Sequence, residues 1–273
     1  MSMVSGVIGT GDDSDAAASL LRTIVENPTN YALFFDVDGT LIDIALSPDA
    51  VEVPPDLPDA LRRLSRRYGD ALALLSGRSI PWLDGRFENA VVSVGGLHGL
   101  ERRDAGGVLR RITAPPMLEA ARATIMAALD DMTGVLVEDK DLSIALHYRA
   151  APEQRLRVKR LLTRLAEASD GLLDVMPGKA VVELRTTGAH KGSALMAFMR
   201  EDPFAGRLPV FFGDDRTDED AFAAAREKGG VAVVIGRPAE EAGANLSLPD
   251  PASVRNFIAL AGAENLEPVG VIA

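Results

Sequence analysis

Five short apolar runs set the strongest constraint on this chain. "YALFF" (31–35), "ALALL" (71–75), "VVSV" (91–94), "LPVFF" (208–212) and "VAVVI" (231–235) are apolar on both alternating faces. Strands of that kind are buried on both sides, as in a parallel sheet covered by helices. Segments of helical period lie between them. "DLPDALRRLSRRYG" has apolar residues at Leu57, Ala60, Leu61 and Leu64, and Gly69 stops it. "KGSALMAFMRE" and "TDEDAFAAAREKGG" read as helices on either side of "LPVFF". Strands alternating with helices predict a parallel α/β sheet.

The middle of the chain breaks this alternation. "APPMLEAARATIMAALDDM" reads as a helix, and "GVLVEDK" and "LSIALHYR" as neighbouring strands. "APEQRLRVKRLLTRLAEASDG" is a second amphipathic helix, and "LLDVMPGKAVVELR" predicts a hairpin turning at Pro-Gly. The order helix-strand-strand-helix-strand-strand predicts an α+β module inserted at 113–186. The parallel core is then 27–112 with 187–273, after an N-terminal extension over 1–26. Within that extension Asp13 or Ser14 is placed to cap a helix running to Glu26.

Composition narrows the function classes. The 273 residues contain no cysteine, which excludes disulfides, thiolate nucleophiles and zinc-thiolate sites. A net charge of −11 argues against a nucleic-acid partner. No apolar run reaches the roughly 20 residues that span a bilayer, and the N-terminus lacks a basic leader. A cytoplasmic monomer is the expectation.

Three of the apolar runs end in polar groups, at Asp36, Ser76 and Asp214. The C-terminal edge of a parallel sheet is where ligands bind. "DVDGT" sets Asp36 two residues from Asp38, a repulsive pair unless a cation or proton separates their charges. One carboxylate of such a pair could hold a hard cation and attack phosphorus while the other moves a proton. An EF-hand is excluded, because its sixth and twelfth positions hold Leu41 and Ser47. Acids cluster again at Asp214, Asp215, Asp218, Glu219 and Asp220, which suits Mg²⁺, although Asp218 to Asp220 also suit a helix start. "SGR" (Ser76, Gly77, Arg78) offers a hydroxyl and free amides at a helix N-terminus, and Lys191 offers a cation at another.

These four motifs, in this order, resemble the haloacid-dehalogenase superfamily. "GGLHGLERRD", "VEDK", "ALHYR", "GKAVVELR", "HKGSALMAFM" and "PVFFGDDRTDED" narrow the likeness to bacterial trehalose-6-phosphate phosphatases, over roughly residues 30–260. The resemblance implies a Rossmannoid core with a C2B-type cap, Mg²⁺ as cofactor and trehalose 6-phosphate as substrate. It implies Asp36 as the nucleophile that becomes an aspartyl-phosphate and Asp38 as the general acid and base. Ser76 and Lys191 would hold the phosphoryl group. Asp36, the carbonyl of Asp38 and Asp214 would bind Mg²⁺, with Asp215 and Asp218 as accessory metal groups, on the ion or behind its ligands. Glu138, Lys140 and Glu183 would bind the sugar hydroxyls. Gly77, Arg78, His98, Arg149, Gly178, Lys179 and Asp218 complete the expected substrate contacts. Of the carboxylate pair, Asp38 is expected to keep a proton while Asp36, on the metal, stays ionised. A sucrose-phosphate phosphatase, a sugar mutase or a silent sugar-phosphate sensor would carry much of the same set. His147 reads as a core or hinge residue, and "ERRD" as a salt-bridge patch.

Overall fold

The computed structural model describes residues 12–44, 51–140, 142–188 and 190–263, with only the backbone described at 12–16. Asp13 and Ser14, expected to cap the first helix, thus have side chains outside the described residues, as residues 1–11 and 264–273 do entirely. The chain divides into two compact units. Residues up to Arg110 and from His190 onward form one, and Arg111–Ala189 the other.

The first unit is built on an eight-stranded sheet. Its strands are β1 (Tyr31–Phe35), β2 (Leu72–Leu75), β3 (Ser93–Gly96), β4 (Glu101–Arg103), β5 (Leu109–Arg111), β10 (Leu208–Gly213), β11 (Val231–Ile235) and β12 (Leu246–Leu248). Their order across the sheet is β12-β11-β10-β1-β2-β3-β4-β5. Every pair from β12 to β3 is parallel, and β4 runs antiparallel to β3. The chain winds outward from β1 through β2 and β3, and outward from β10 through β11 and β12. The winding therefore reverses between β1 and β10, the position where open α/β sheets bind ligands.

Alternate side chains of these strands go to opposite faces, and both faces are covered. Leu33, Phe35, Leu74, Val210, Phe212 and Val233 pack with α1 (Asp12–Glu26), α2 (Leu57–Arg67) and α9 (Pro251–Ala261). Phe34, Ala73, Leu75, Phe211 and Val234 pack with α6 (Lys191–Phe198) and α7 (Glu219–Glu227). Double burial is why the runs are continuously apolar. The short strands β4 and β5 lack such runs, and "ERRD", expected as a salt-bridge patch at a strand edge, is mostly β4. Its Arg103 pairs with Asp84 and Arg102 with Glu201. No helix among the described residues is long and apolar enough to cross a membrane.

The second unit is an antiparallel sheet, β6-β7-β9-β8, with α4 (Pro116–Leu129) and α5 (Arg155–Glu167) on one face. The strands are β6 (Leu136–Asp139), β7 (Ser143–His147), β8 (Leu173–Gly178) and β9 (Val181–Thr186). Ile144, Leu146, Val182 and Leu184 pack against Leu118, Ile125, Val158 and Leu162 of the helices. The hairpin does not turn at Pro-Gly. Pro177 and Gly178 are still paired, with Val182 and Val181, and the turn is Lys179–Ala180, with Ala180 at φ +63°. β8 is the sheet edge, where the missing proline N–H costs little.

Candidate active site

The sheet edge at the β1/β10 reversal collects the charged groups of the first unit. β1 hands the chain to Asp36, whose N–H donates to the Phe212 carbonyl at 2.8 Å, locking it beside the end of β10. Lys191, the first residue of α6, is buried and donates through Nζ to Asp36 Oδ1 and Asp218 Oδ1, both at 2.6 Å. Asp218 Oδ2 accepts from the N–H groups of Asp214 and Asp215, each at 3.0 Å. Asp36, Asp214 and Asp218 each offer one oxygen within 4.8 Å of the others.

Two glycines make room for this cluster. Gly39 has φ +81°, and a Cβ there would stand 2.1 Å from Asp214 Oδ2. A Cβ on Gly213 would stand 2.6 Å from Asp218 Cγ. Asp214 Oδ1 is buried with no hydrogen-bond partner. A buried, orphaned carboxylate oxygen beside two further carboxylates fits a hard divalent cation, which takes oxygen ligands.

Beside the acids lies the end of β2. Ser76 is buried, and its Oγ accepts from the Arg78 N–H at 3.1 Å. Arg78 grips Asp38 with two bonds, Nε to Oδ2 at 3.0 Å and Nη2 to Oδ1 at 2.8 Å, and stacks on Trp82 with 4.6 Å to the ring centroid. The turn after β3 folds back onto this loop. His98 N–H donates to the Ser76 carbonyl, and the His98 ring covers Gly77, where a Cβ would meet Nε2 at 2.6 Å. Leu97 and His98 both have positive φ, at +50° and +59°. That backbone is costly for residues with side chains, and such strain gathers at functional sites.

In the second unit, the face that the helices leave carries a row of polar side chains. Glu138 and Glu183 flank Ala145 in register. Lys140 Nζ lies 3.8 Å from Glu138 Oε2 and 3.7 Å from Glu183 Oε2. Glu138 and Lys140 are therefore neighbours of Glu183, which is distant from them in sequence. Arg149, Gly178 and Lys179 are exposed at one end of this sheet, outside that group of contacts.

Residues 34–250 match the family model described as trehalose-phosphatase. The chain belongs to the trehalose-phosphatase family. It is 41% identical to a probable trehalose-phosphate phosphatase of Sinorhizobium fredii over 84% of this chain and 87% of that one. It is 38% identical to the trehalose-6-phosphate phosphatase of Escherichia coli over 85% and 88%. Among solved structures, the C-terminal domain of the C. albicans trehalose-6-phosphate phosphatase superposes with a TM-score of 0.74. That match has 22% identity and covers 89% and 96% of the two chains. A haloalkanoate-superfamily phosphatase of Bacteroides thetaiotaomicron superposes at 0.58 with 18% identity, covering 94% and 97%. The fold is thus that of the haloacid-dehalogenase phosphatases, and the family is one of phosphoric monoester hydrolases. The acidic cluster offers the oxygen ligands that a hard divalent cation takes.

An ionised Asp36 is the expectation with a cation on it, and the metal-free protein shows what that cation would offset. Burial pushes Asp36 well above the usual carboxylate range, and the Lys191 ammonium only partly opposes this. Burial, then the neighbouring Asp218, pushes Asp214 up to about 6. Asp38 is a third exposed and held by a guanidinium. Burial alone would lower the Lys191 pKa, but Asp218 and Asp36 outweigh it and hold the ammonium firmly charged. Three carboxylates against one ammonium leave the cluster short of positive charge.

A stability prediction follows from the signs. In the metal-free protein Asp36 and Asp214 bind protons more tightly folded than unfolded. Their protonation stabilises the fold at low pH, and that contribution is lost as pH rises through these raised carboxyl pKa values, about 6 for Asp214. A divalent cation replaces those protons. Mg²⁺ is expected to raise the melting temperature more at pH 7.5 than at pH 5. Thermal melts with Mg²⁺ and with chelator at both pH values measure this, and an equal increment would contradict it.

Two expected site residues need correction. Asp215 is exposed, and its Oδ1 accepts from the Arg216 N–H at 2.7 Å as the cap of a 3₁₀ turn. It stands outside the acidic triplet because it is one residue past Asp214. Asp218, expected both as an accessory metal group and as a substrate contact, belongs to the acidic triplet but is fully buried, with both oxygens engaged by Lys191 and backbone amides. It organises the cluster from beneath. His147 is neither core nor hinge, since its Nε2 lies 3.0 Å from Glu138 Oε2 on the polar sheet face. Arg237 was not singled out in the sequence. It donates to the Asp215 carbonyl at 3.1 Å and pairs with Glu219, bracing the acidic loop. An arginine after a "VVIG" strand gives no sequence signal of that role.

Proposed function

We propose that the chain hydrolyses trehalose 6-phosphate to trehalose and phosphate, with Mg²⁺, through a phosphoryl group carried on Asp36. The observation that carries this reading is the buried Asp36–Lys191–Asp218 group beside the orphaned Asp214 Oδ1. The names of the relatives supply the substrate.

Asp36 and Asp214 would hold the cation, which when bound neutralises their charge and that of the phosphoryl oxygens. Lys191 adds fixed positive charge to offset the negative charge on the equatorial phosphoryl oxygens. Asp36 attacks phosphorus as its bond to the sugar C6 oxygen breaks, and Asp38 gives that oxygen its proton. Water then attacks phosphorus, the bond to Asp36 breaks, and Asp38 takes the water's proton. Asp38 must exchange its Arg78 partner for the leaving oxygen in this sequence. The Ser76 hydroxyl and the amides of its loop bind the transferred group. Glu138, Lys140 and Glu183 supply charge-assisted hydrogen bonds to sugar hydroxyls.

Phosphate release across a panel of sugar phosphates, with and without Mg²⁺, tests the reading. Trehalose 6-phosphate is expected to be cleaved with the highest kcat/KM, and only with metal. A better turnover of sucrose phosphate would overturn the substrate. Glu183→Ala is expected to lower kcat/KM for trehalose 6-phosphate at least about tenfold more than for p-nitrophenyl phosphate, a difference of about 1.4 kcal/mol.

A further inference from the structure

The central strand of the second sheet does more than connect the two glutamates. β7 lies between β6 and β9, and Ala145 stands directly between Glu138 and Glu183 in the cross-strand row. The side chains two positions either side of Ala145 share its face, and they are Ser143 and His147. Each grips one glutamate. The Ser143 hydroxyl donates to Glu183 Oε1, and His147 Nε2 is 3.0 Å from Glu138 Oε2. An ionised carboxylate only accepts, so the imidazole nitrogen is the donor. Ser143 is 2% exposed, so its hydroxyl has little access to water as an alternative partner.

A glutamate on a sheet surface samples several rotamers, and binding a sugar would have to freeze one. Here β7 freezes both in advance. A carboxylate has about four lone-pair sites. The grip from β7 uses one on each glutamate, and Lys140 faces the other oxygen of Glu183 and the same Oε2 of Glu138. The remainder are free for hydroxyls. Ala145, 1% exposed, puts only a methyl group between the two.

We propose that Ser143 and His147 are positioning residues for disaccharide recognition, fixing the carboxylates of Glu183 and Glu138 from either side of Ala145. The proposal rests on the trehalose 6-phosphate reading above. The test is steady-state kinetics on trehalose 6-phosphate and on p-nitrophenyl phosphate, with Mg²⁺, for Ser143→Ala, His147→Ala, His147→Gln, Glu183→Ala and the double variant Ser143→Ala with Glu183→Ala. Each alanine variant at 143 or 147 is expected to raise KM for trehalose 6-phosphate about three- to tenfold, with kcat little changed. The loss on p-nitrophenyl phosphate should be several-fold smaller. His147→Gln, whose side-chain N–H can replace the ring N–H, should recover most of the loss. Ser143→Ala should add nothing once Glu183 is gone. Equal losses on both substrates for Ser143→Ala and His147→Ala would overturn the proposal, as would unchanged KM while Glu183→Ala remains selective. If Glu183→Ala itself fails to discriminate between the substrates, the assignment of the sugar-binding set falls, and the positioning role falls with it.

Discussion

Asp36→Asn is expected to lower kcat on trehalose 6-phosphate by about 10⁴-fold or more while leaving the fold intact. A carboxamide cannot serve as the nucleophile, and loss of a covalent catalyst typically costs several orders of magnitude. The stability side of the same substitution is equally specific. The amide keeps the shape of the carboxyl and removes one negative charge from a buried cluster of three acids and one ammonium. Lys191 keeps Asp218 as its partner at 2.6 Å. The metal-free variant should therefore melt no lower than the parent, and its response to Mg²⁺ should weaken. Kinetics together with paired thermal melts check both halves. Retained turnover would remove Asp36 from the reaction, and a large drop in melting temperature would show that its ionised form holds the fold.

Lys191→Met is expected to have the opposite balance. The substitution is close in volume, but it strips the ammonium from two carboxylates that are at most 6% exposed. Breaking a buried ion pair from one side costs about 3–5 kcal/mol, because the remaining charge has no partner. For a chain of this size that corresponds to a fall of roughly 10 °C in melting temperature in the absence of metal. Activity should also fall steeply, since the fixed charge facing the phosphoryl oxygens is gone. Acidification should recover part of the lost stability, because Asp36, whose carboxyl burial already pushes up, can then take up a proton in place of the missing ammonium. A Lys191→Met protein that melts like the parent would mean that the buried pair contributes little to the fold.

The groups that end apolar runs were legible in the chain. Asp36, Ser76 and Asp214 each follow a strand whose double burial is written in its composition, and the sheet's winding brings those ends together. Lys191 was legible as a cation at a helix start. The role of Asp218 was not. In "GDDRTDED" it reads equally as a helix-start charge, and what distinguishes it is a hydrogen bond to Lys191, 27 positions earlier in the chain. The same limit applies to the surroundings of the carboxylate pair. Two acids two residues apart look symmetrical in sequence. Complete burial of Asp36 and the Arg78 grip on Asp38 break that symmetry, and both depend on tertiary packing. His147 was misjudged for a related reason. At the end of an apolar strand it resembles a core residue, and only the register with Glu138 and Val181 shows which face it occupies.

The central claim is that the phosphoryl group passes through Asp36. Acid quenching during turnover of trehalose 6-phosphate, followed by peptide mass spectrometry, tests it directly. The account predicts one phosphoryl group on the peptide containing Asp36, lost on further incubation with water and absent from Asp36→Asn. A burst of trehalose equal to the enzyme present, with that peptide unmodified or with the phosphoryl group on another residue, would contradict it.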